Sequence, residues 1–325
     1  MLNSWQPACS STQLHQRAQL FQQLRAFFAE RQVLEVETPL LGHGSGTDPH
    51  LDFFTTTYNA PSTPATLYLQ TSPEFAMKRL VAAGSGDIYQ LCKAFRNNES
   101  GRFHNPEFTL LEWYRVGFNL TMLMDEVDEL FAHMFHLQPL NPSQRLRYQD
   151  VFYHYTQLDP LHFCYASYCA YARSHKIAEA ISLCQHSHSL WLDFIFSHKV
   201  QPNLGNNALC MVYDYPACQA ALARLNPAEP RCAERVELFI NGIELGNGYF
   251  ELTQANEQRQ RFEQDRQYRQ TYHLPTLALD ERFLAALTAG LPDCSGMAIG
   301  LDRVLMVLTN MHCIDDVLAF PVSRA

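Results

Sequence analysis

The chain has 325 residues, is 47% hydrophobic and carries a formal net charge of −9. That length admits one large domain or two, with apolar composition enough for a substantial core, and an acidic balance without a Lys/Arg cluster argues against a broad nucleic-acid surface. No run approaches the roughly eighteen apolar residues of a membrane span, and the opening MLNSWQPACSS has neither a basic nor an apolar leader region, so the expected compartment is the cytoplasm.

Ten cysteines scattered without a CxxC pair read as reduced thiols rather than a disulfide framework. Only four of the 24 basic residues are lysine. Arginine suits bidentate anion recognition, although surface positions account for most arginines of any chain.

In chain order, residues 11 to 31 predict an amphipathic helix, with Leu14, Ala18, Phe21, Leu24 or Arg25, and Phe28 at helical spacing and Ser10, Ser11 or Thr12 as candidate caps. LEVETP then alternates as a short strand that Pro39, lacking an N–H, must end. GHGSGTD (42 to 48) is a loop; neither GxGxxG nor GxxxxGK[ST] occurs, so a nucleotide would have to be held by another device. LYLQTSPEFAMKRLVAAG predicts strand then helix, with Ser72 as N-cap, Pro73 at the first helical position and Glu74 in the first turn, where an acid also simply complements the helix dipole.

DIYQLCKAF, the polar NNESGRFHNP and EFTLLEWY predict an antiparallel hairpin over residues 87 to 114. In its return strand Phe108, Leu110, Glu112 and Tyr114 share one face. An acid among apolar neighbours needs a partner in the protein or in a ligand. Residues 141 to 230 mix aromatic, Cys and His residues at helix-like spacing. Cys184, His186 and His188 form a weak metal-like pattern without a fourth nearby ligand. Residues 255 to 272 read as a polar helix with a solvated face.

ERVELFINGIELGNGYFEL (234 to 252) contains Asn241-Gly242 between two alternating runs, the signal for a two-residue type I′ hairpin. That register sets Ile240 opposite Ile243, Phe239 opposite Glu244 and Glu237 opposite Gly246. Glu237 and Glu244 then lie on one face, roughly 7–8 Å apart at Cα. Either both face solvent, or they bridge a divalent cation such as magnesium, which takes one or two protein carboxylates. Gly246 and Gly248 leave room for a closely approaching ligand. SGMAIGLDRVLMVL (295 to 308) leads small residues into an apolar helix with Asp302 and Arg303 in its first turn, where free N–H groups favour a phosphate; a buried strand running into a core helix would look similar.

These segments together resemble a family. FRNNESGRFHNPEF resembles motif 2 of the class II aminoacyl-tRNA synthetases, SGMAIGLDR their motif 3, and the first helix with LEVETP their motif 1. SPEF, HNPEFTLLEWY and GIELGNGYFEL are most similar to the lysyl-tRNA synthetase subclass. The resemblance covers nearly the whole chain. It implies an α+β fold: a single class II catalytic domain over 1–325, an antiparallel sheet of about six or seven strands flanked by helices, a helical insertion at about 141–205, and motif 1 at a homodimer interface. With motif 1 beginning near residue 12, there is no room before it for the anticodon-binding barrel of enzymes that charge tRNA.

The chain therefore resembles the truncated paralogues of that subclass, which activate lysine or β-lysine with ATP and pass it to a lysine side chain of elongation factor P. Where the synthetases have G-x-G-x-G in motif 3, this chain has Gly296, Ala298 and Gly300, and one methyl group in a tight pocket discriminates between substrates. Alternatives are a minimal synthetase charging tRNA, disfavoured by the missing barrel and the net charge, and a silent sensor of an amino acid or its adenylate, disfavoured by the intact metal and phosphate positions.

What the resemblance implies for the site is specific. Arg96 bridges the substrate carboxylate and the α-phosphate, and Arg303 takes the γ-phosphate side; these two are the expected catalytic residues. Asn97, Asn98, Glu99, His104, Asn105 and Phe108 hold ATP, with Leu245 and Gly300 lining the nucleotide and Glu237 and Glu244 holding Mg²⁺. Ser72, Pro73 and Glu74 sit at the amino-acid pocket, Glu74 at the amine near the carboxylate, while Tyr114 and Glu251 receive the distal ammonium with Glu112 nearby. The family's Arg-x-Glu in motif 2 is here Arg96-Asn97-Asn98-Glu99, so either Asn98 makes the adenine-side contact or Glu99 replaces the missing acid.

Overall fold

A computed structural model describes residues 5–59 and 65–325; the first four residues of the N-terminal stretch read above lie outside it. The chain forms two compact units, one built from the residues up to Asn119 together with Leu252–Ala325, the other from Leu120–Glu251.

The first unit opens with helix α1 (Ser11–Glu30), capped by the Ser10 hydroxyl, which accepts from the Gln13 amide at 3.3 Å. Its buried stripe is Leu20, Leu24, Phe27 and Phe28, whereas Leu14 and Ala18 of the predicted stripe are exposed. Strands β1 (Leu34–Glu35), β2 (Leu41–Gly42), β3 (Thr55–Tyr58) and β4 (Ala65–Leu69) follow. Helix α2 (Glu74–Ala82) starts one residue later than the capping pattern suggests: Pro73 occupies the cap and no side chain caps the helix. The hairpin is present as β5 (Ile88–Phe95) and β6 (Glu107–Val116).

The second unit runs from α3 (Leu120–Met134) through β7 (Asn141–Arg147), α4 (Tyr148–Thr156), α5 (Tyr165–Ser174), α6 (Ala180–Cys184), α7 (His188–Ile195), β8 (Ala208–Pro216) and β9 (Leu225–Asn226) to β10 (Glu229–Ile240) and β11 (Ile243–Phe250). The segment expected to be helical from about 141 thus begins with a strand. The chain returns to the first unit as α8 (Ala255–Thr271), α9 (Glu281–Gly290), β12 (Cys294–Gly300) and α10 (Leu301–Thr309).

Within the first unit the strand order is β1-β5-β6-β12, with β2-β4-β3 as a separate small sheet; within the second it is β11-β10-β8-β7, with β9 paired to β10. The described ladders are antiparallel except β1–β5 and β7–β8. Aromatic packing supports the first unit's sheet. Phe28 of α1 stacks on Tyr89 of β5 at 4.4 Å and meets Trp113 of β6 at 5.6 Å, while Phe75 of α2 stacks on Phe283 of α9 at 4.4 Å. Large buried rings of this kind dominate core energetics.

Helix α8 has the expected solvated face, since only Gln258, Phe262 and Arg269 are buried, and its inward side has a further use. Arg269 is 2% exposed; it donates to the carbonyls of Pro275 and Asp48, both at 2.9 Å, and so pins two loops to the helix. On the same inward side Phe262 packs on Phe75 and Phe283 at 5.7 and 6.3 Å, so the helix meets both an apolar cluster and loop carbonyls. All ten cysteines are free thiols, and no described helix is long and apolar enough to cross a membrane.

Candidate active site

The predicted residues fall in both units, and each group is built separately. In the first unit, the β5–β6–β12 ladder aligns three rows of side chains: Gln90, Glu112 and Ala298; Ile88, Tyr114 and Gly296; Cys92, Leu110 and Gly300. Because residues two apart on a strand share a face, these rows make one surface. Glu112 is 2% exposed. Its required partner is Tyr114, whose hydroxyl donates to Glu112 Oε1 at 2.7 Å. Ala298 stands directly opposite Glu112, so the methyl that departs from the family's glycine pattern lies beside a predicted amino-acid residue. Glu74 accepts from Lys78 Nζ at 2.5 Å. Neither Ser72 nor the buried Pro73 takes part in this pairing.

Beyond β5, the Arg96 guanidinium lies 3.7 Å from Glu99 and 5.1 Å from the centroid of Phe108, and its buried Nε has no hydrogen-bond partner among the described residues. A half-buried cation with a donor in hand suits an anionic ligand. The connecting loop closes on itself through reciprocal Gly101 and His104 backbone bonds at 3.0 and 3.2 Å. Arg303 reaches that loop from α10: Nε donates to the Phe103 carbonyl at 3.1 Å and Nη2 to His104 Nε2 at 2.8 Å. A guanidinium can only donate, so Nε2 is the ring's acceptor. Asn105 is buried with both ends of its amide engaged in the chain, donating to Glu107 O at 2.6 Å and accepting from Val322 N at 2.9 Å. Its place is to shape the loop.

The motif 2 departure takes a definite form. Asn98 adopts φ +61° and its amide donates to Asp52 Oδ2 at 2.7 Å, while Asn97 N donates to Asp52 O at 2.9 Å. Asn98 is therefore turned to Asp52, and Glu99 is the carboxylate beside Arg96. Asp302, the other first-turn residue of α10, is 1% exposed. It accepts from Arg17 of α1 at 2.6 Å and from the Thr109 amide of β6 at 2.7 Å, tying the segments that resemble motifs 1, 2 and 3 at one carboxylate.

In the second unit the Asn241-Gly242 turn has the expected left-handed residues, φ +51° and +73°. Its amides donate to the carbonyls of Gly205 and Leu204 at 2.7 and 2.8 Å. Gly205 is itself at φ +66°, and a Cβ there would meet Phe239 O at 2.6 Å, so only glycine fits. Ile240–Ile243 and Phe239–Glu244 pair as predicted, but the register shifts between Leu238 and Phe239. Leu245 is the extra residue of a bulge, a device that re-aims strands. Glu237 consequently opposes Asn247 and not Gly246; Gly246 and Gly248 oppose Leu238 and Val236.

Glu237 and Glu244 nevertheless act on one another. Burial raises the Glu237 carboxyl, Arg235 pulls it back, and the like charge of Glu244 raises it further, to about 7. Both Glu237 oxygens are held: Oε1 by Arg235 Nη2, Oε2 by the Tyr215 hydroxyl at 2.5 Å. Arg235 also donates to Gln219 O at 2.5 Å and to Asn247 Oδ1 at 3.3 Å. Two hard carboxylate donors that repel each other fit a divalent cation. Leu245 is 2% exposed and Glu251 1%. The Cys184, His186 and His188 side chains diverge: Cys184 donates to Leu190 O, His186 packs on Tyr165, and His188 stacks on Phe163 and faces Cys218.

Sequence reasoning missed Lys78, Asp52, Tyr215, Asn247 and Arg235. Arg235 had a signal, since it lies two residues before Glu237 on the same strand face. Asn247 had none, because the bulge leaves no compositional mark.

This architecture and these groups coincide with a known family. A profile of the class II tRNA synthetases (D, K and N) matches residues 5–324, and the chain belongs to that family. Among its curated relatives are proteins named "elongation factor P–(R)-beta-lysine ligase". Those of Haemophilus influenzae (strain PittGG) and Vibrio cholerae serotype O1 are each 46% identical to it, over 326 and 328 residues, covering 100% of this chain and 99% and 100% of theirs. That of Mannheimia succiniciproducens is 45% identical over 326 residues, 99% of this chain and 98% of its own.

Proposed function

We propose that this chain is an ATP-dependent ligase that activates (R)-β-lysine as the aminoacyl adenylate and transfers it to a lysine side chain of elongation factor P. Full-length relatives of that name support the activity. The observation that carries the substrate is the row Gln90–Glu112–Ala298: a buried acid for an ammonium, faced by a methyl where the family's pattern has glycine.

The reaction asks for no protein nucleophile. The amino-acid carboxylate attacks the α-phosphorus of ATP, the bond to the bridging oxygen breaks and pyrophosphate leaves; an acceptor amine then attacks the acyl carbon and releases AMP. Arg96 holds the carboxylate and the α-phosphate, and Arg303, seated on the motif 2 loop through Phe103 and His104, neutralises the γ-phosphate side. Such positioned cations lower the barrier by charge stabilisation and orientation. Glu99 stands in for the motif 2 acid. Glu237 and Glu244 would hold Mg²⁺, which when bound screens the phosphate charge. Glu74 takes one substrate amine, and Glu112 with Tyr114 takes the distal ammonium.

The decisive experiment supplies radiolabelled (R)-β-lysine and ATP with either elongation factor P or lysine tRNA. Label on the protein is expected; label on tRNA alone replaces the ligase reading with a synthetase, and absence of pyrophosphate exchange replaces both with a sensor. A cytoplasmic homodimer completes the proposal, supported by the apolar side chains that α1 and the adjoining strands leave exposed, among them Leu34 at 55% and Leu41 at 44%. Sedimentation at the mass of one chain would remove the dimer.

Ala298→Gly is expected to relax discrimination by about 1–3 kcal/mol, the worth of one methyl in a tight pocket. The measurement is kcat/KM in pyrophosphate exchange for α-lysine relative to β-lysine. An unchanged ratio would move the selective contact away from β12.

A further inference from the structure

Of the four lysines in the chain, Lys78 alone is fully buried, at 1% exposure. It lies one turn along α2 from Glu74, and its Nζ donates to Glu74 Oε1 at 2.5 Å. The two partners are unequally placed: the lysine side chain is 1% exposed and the glutamate 15%. Nζ also stands 6.0 Å from the centroid of Tyr114 and 5.8 Å from that of Phe283. Tyr114 in turn donates to Glu112. The ammonium thus sits on the Glu74 carboxylate between two rings, one of them Tyr114 of the face that carries the predicted amino-acid residues.

Burying a cation is costly unless its partners are fixed and close. A pair serving only to fasten α2 to its neighbours could be replaced by apolar contact, as the Phe75–Phe283 stack fastens α2 to α9. Here the cation is sealed and the anion keeps an open side. In a chain whose positive charges are overwhelmingly arginine, a lysine also supplies a compact point charge that one carboxylate oxygen can cap without a planar fork.

We propose that Lys78 is the positioning residue for Glu74: it anchors one carboxylate oxygen inward, so that the remaining oxygen is presented in a fixed place to the amine of the amino-acid substrate. An anchored acceptor separates amines that differ by one carbon in position, so Lys78 sets selectivity between α- and β-amino isomers through Glu74. This inference rests on the reading that Glu74 receives a substrate amine.

The test is a cycle of Glu74→Gln, Lys78→Met and the double variant in pyrophosphate exchange, with calorimetric binding of (R)-β-lysine to each. Lys78→Met is expected to raise the amino-acid KM and dissociation constant by about ten-fold or more, the worth of an ordered hydrogen bond to a charged group, while the ATP KM stays within about two-fold. The double variant should bind no more weakly than Glu74→Gln alone. Should Lys78→Met fail to fold, Lys78→Arg, which keeps the charge and moves it, must shift the α/β ratio with thermal stability retained. Parallel rises in both KM values, additive effects in the cycle, or an unmoved α/β ratio in a folded variant overturn the inference. If Glu74→Gln itself leaves amino-acid binding unchanged, the assignment of Glu74 has failed first.

Discussion

Arg303→Ala is expected to lower ATP–pyrophosphate exchange by about 10²–10³-fold, the cost of removing one preorganised charge-stabilising group, while leaving the circular dichroism spectrum and cooperative unfolding intact. Two features of the site lead to that expectation. The side chain is half-buried and its partners are a loop carbonyl and a histidine ring, so its loss opens no core cavity. At the same time it is the link by which α10 holds His104 and Phe103, and with them the segment that carries Glu99 and Arg96. The loss should therefore appear in kcat as well as in the ATP KM, since a displaced loop no longer meets the phosphates in the geometry of the transition state. Arg303→Lys restores charge but neither the fork nor the two simultaneous bonds, and should recover only a small part of the rate. Exchange at near the parent rate in Arg303→Ala would refute the assignment of this arginine to the phosphates.

How much of this was legible in advance differs from one element to the next for physical reasons. The Asn241-Gly242 turn was readable because only a few residue pairs tolerate two successive left-handed conformations. The bulge three residues later was not: Leu245 is an ordinary strand residue, and an inserted position changes the pairing without changing the alternation that a reader sees. As a result Asn247, rather than a glycine, faces Glu237. Ser10 was readable as a cap because its hydroxyl meets a local need, whereas the buried stripe of α1 depends on which face the sheet covers, and Phe27 displaced Leu14 and Ala18 from it. Arg269 shows the limit of composition. The polar helix was read as having a solvated face, which it has, but composition does not say which of its donors turn inward to loop carbonyls, as Arg269 does. Lys78 was passed over for a similar reason, since a lysine at i+4 from a glutamate is most often a surface pair, and only the packing of α9 and β6 encloses it.

Asp302→Ala is expected to destabilise the fold by about 3–5 kcal/mol, the range for breaking a buried ion pair from one side. The carboxylate is the common acceptor for Arg17 of α1 and the Thr109 amide of β6, so alanine leaves a guanidinium 18% exposed without its counter-charge, still held by the Val317 carbonyl at 2.9 Å, and a buried N–H without this acceptor. Chemical unfolding monitored by circular dichroism measures the change, and a midpoint equal to the parent's would show that the other contacts of α1 suffice. Two companion variants divide the effect. Asp302→Asn keeps an acceptor for one of the two donors and removes the charge, so its smaller cost reports the hydrogen bond retained. Arg17→Met removes the cation and leaves the carboxylate on the Thr109 amide; if the ion pair dominates, it should reproduce most of the loss seen in Asp302→Ala. Because Asp302 precedes Arg303 on the first turn of α10, loosening it should also turn the arginine away from the motif 2 loop. Activity is then expected to fall together with stability in the Asp302 series but alone in Arg303→Ala, a contrast that separates the residue that holds the site together from the one that meets the phosphates.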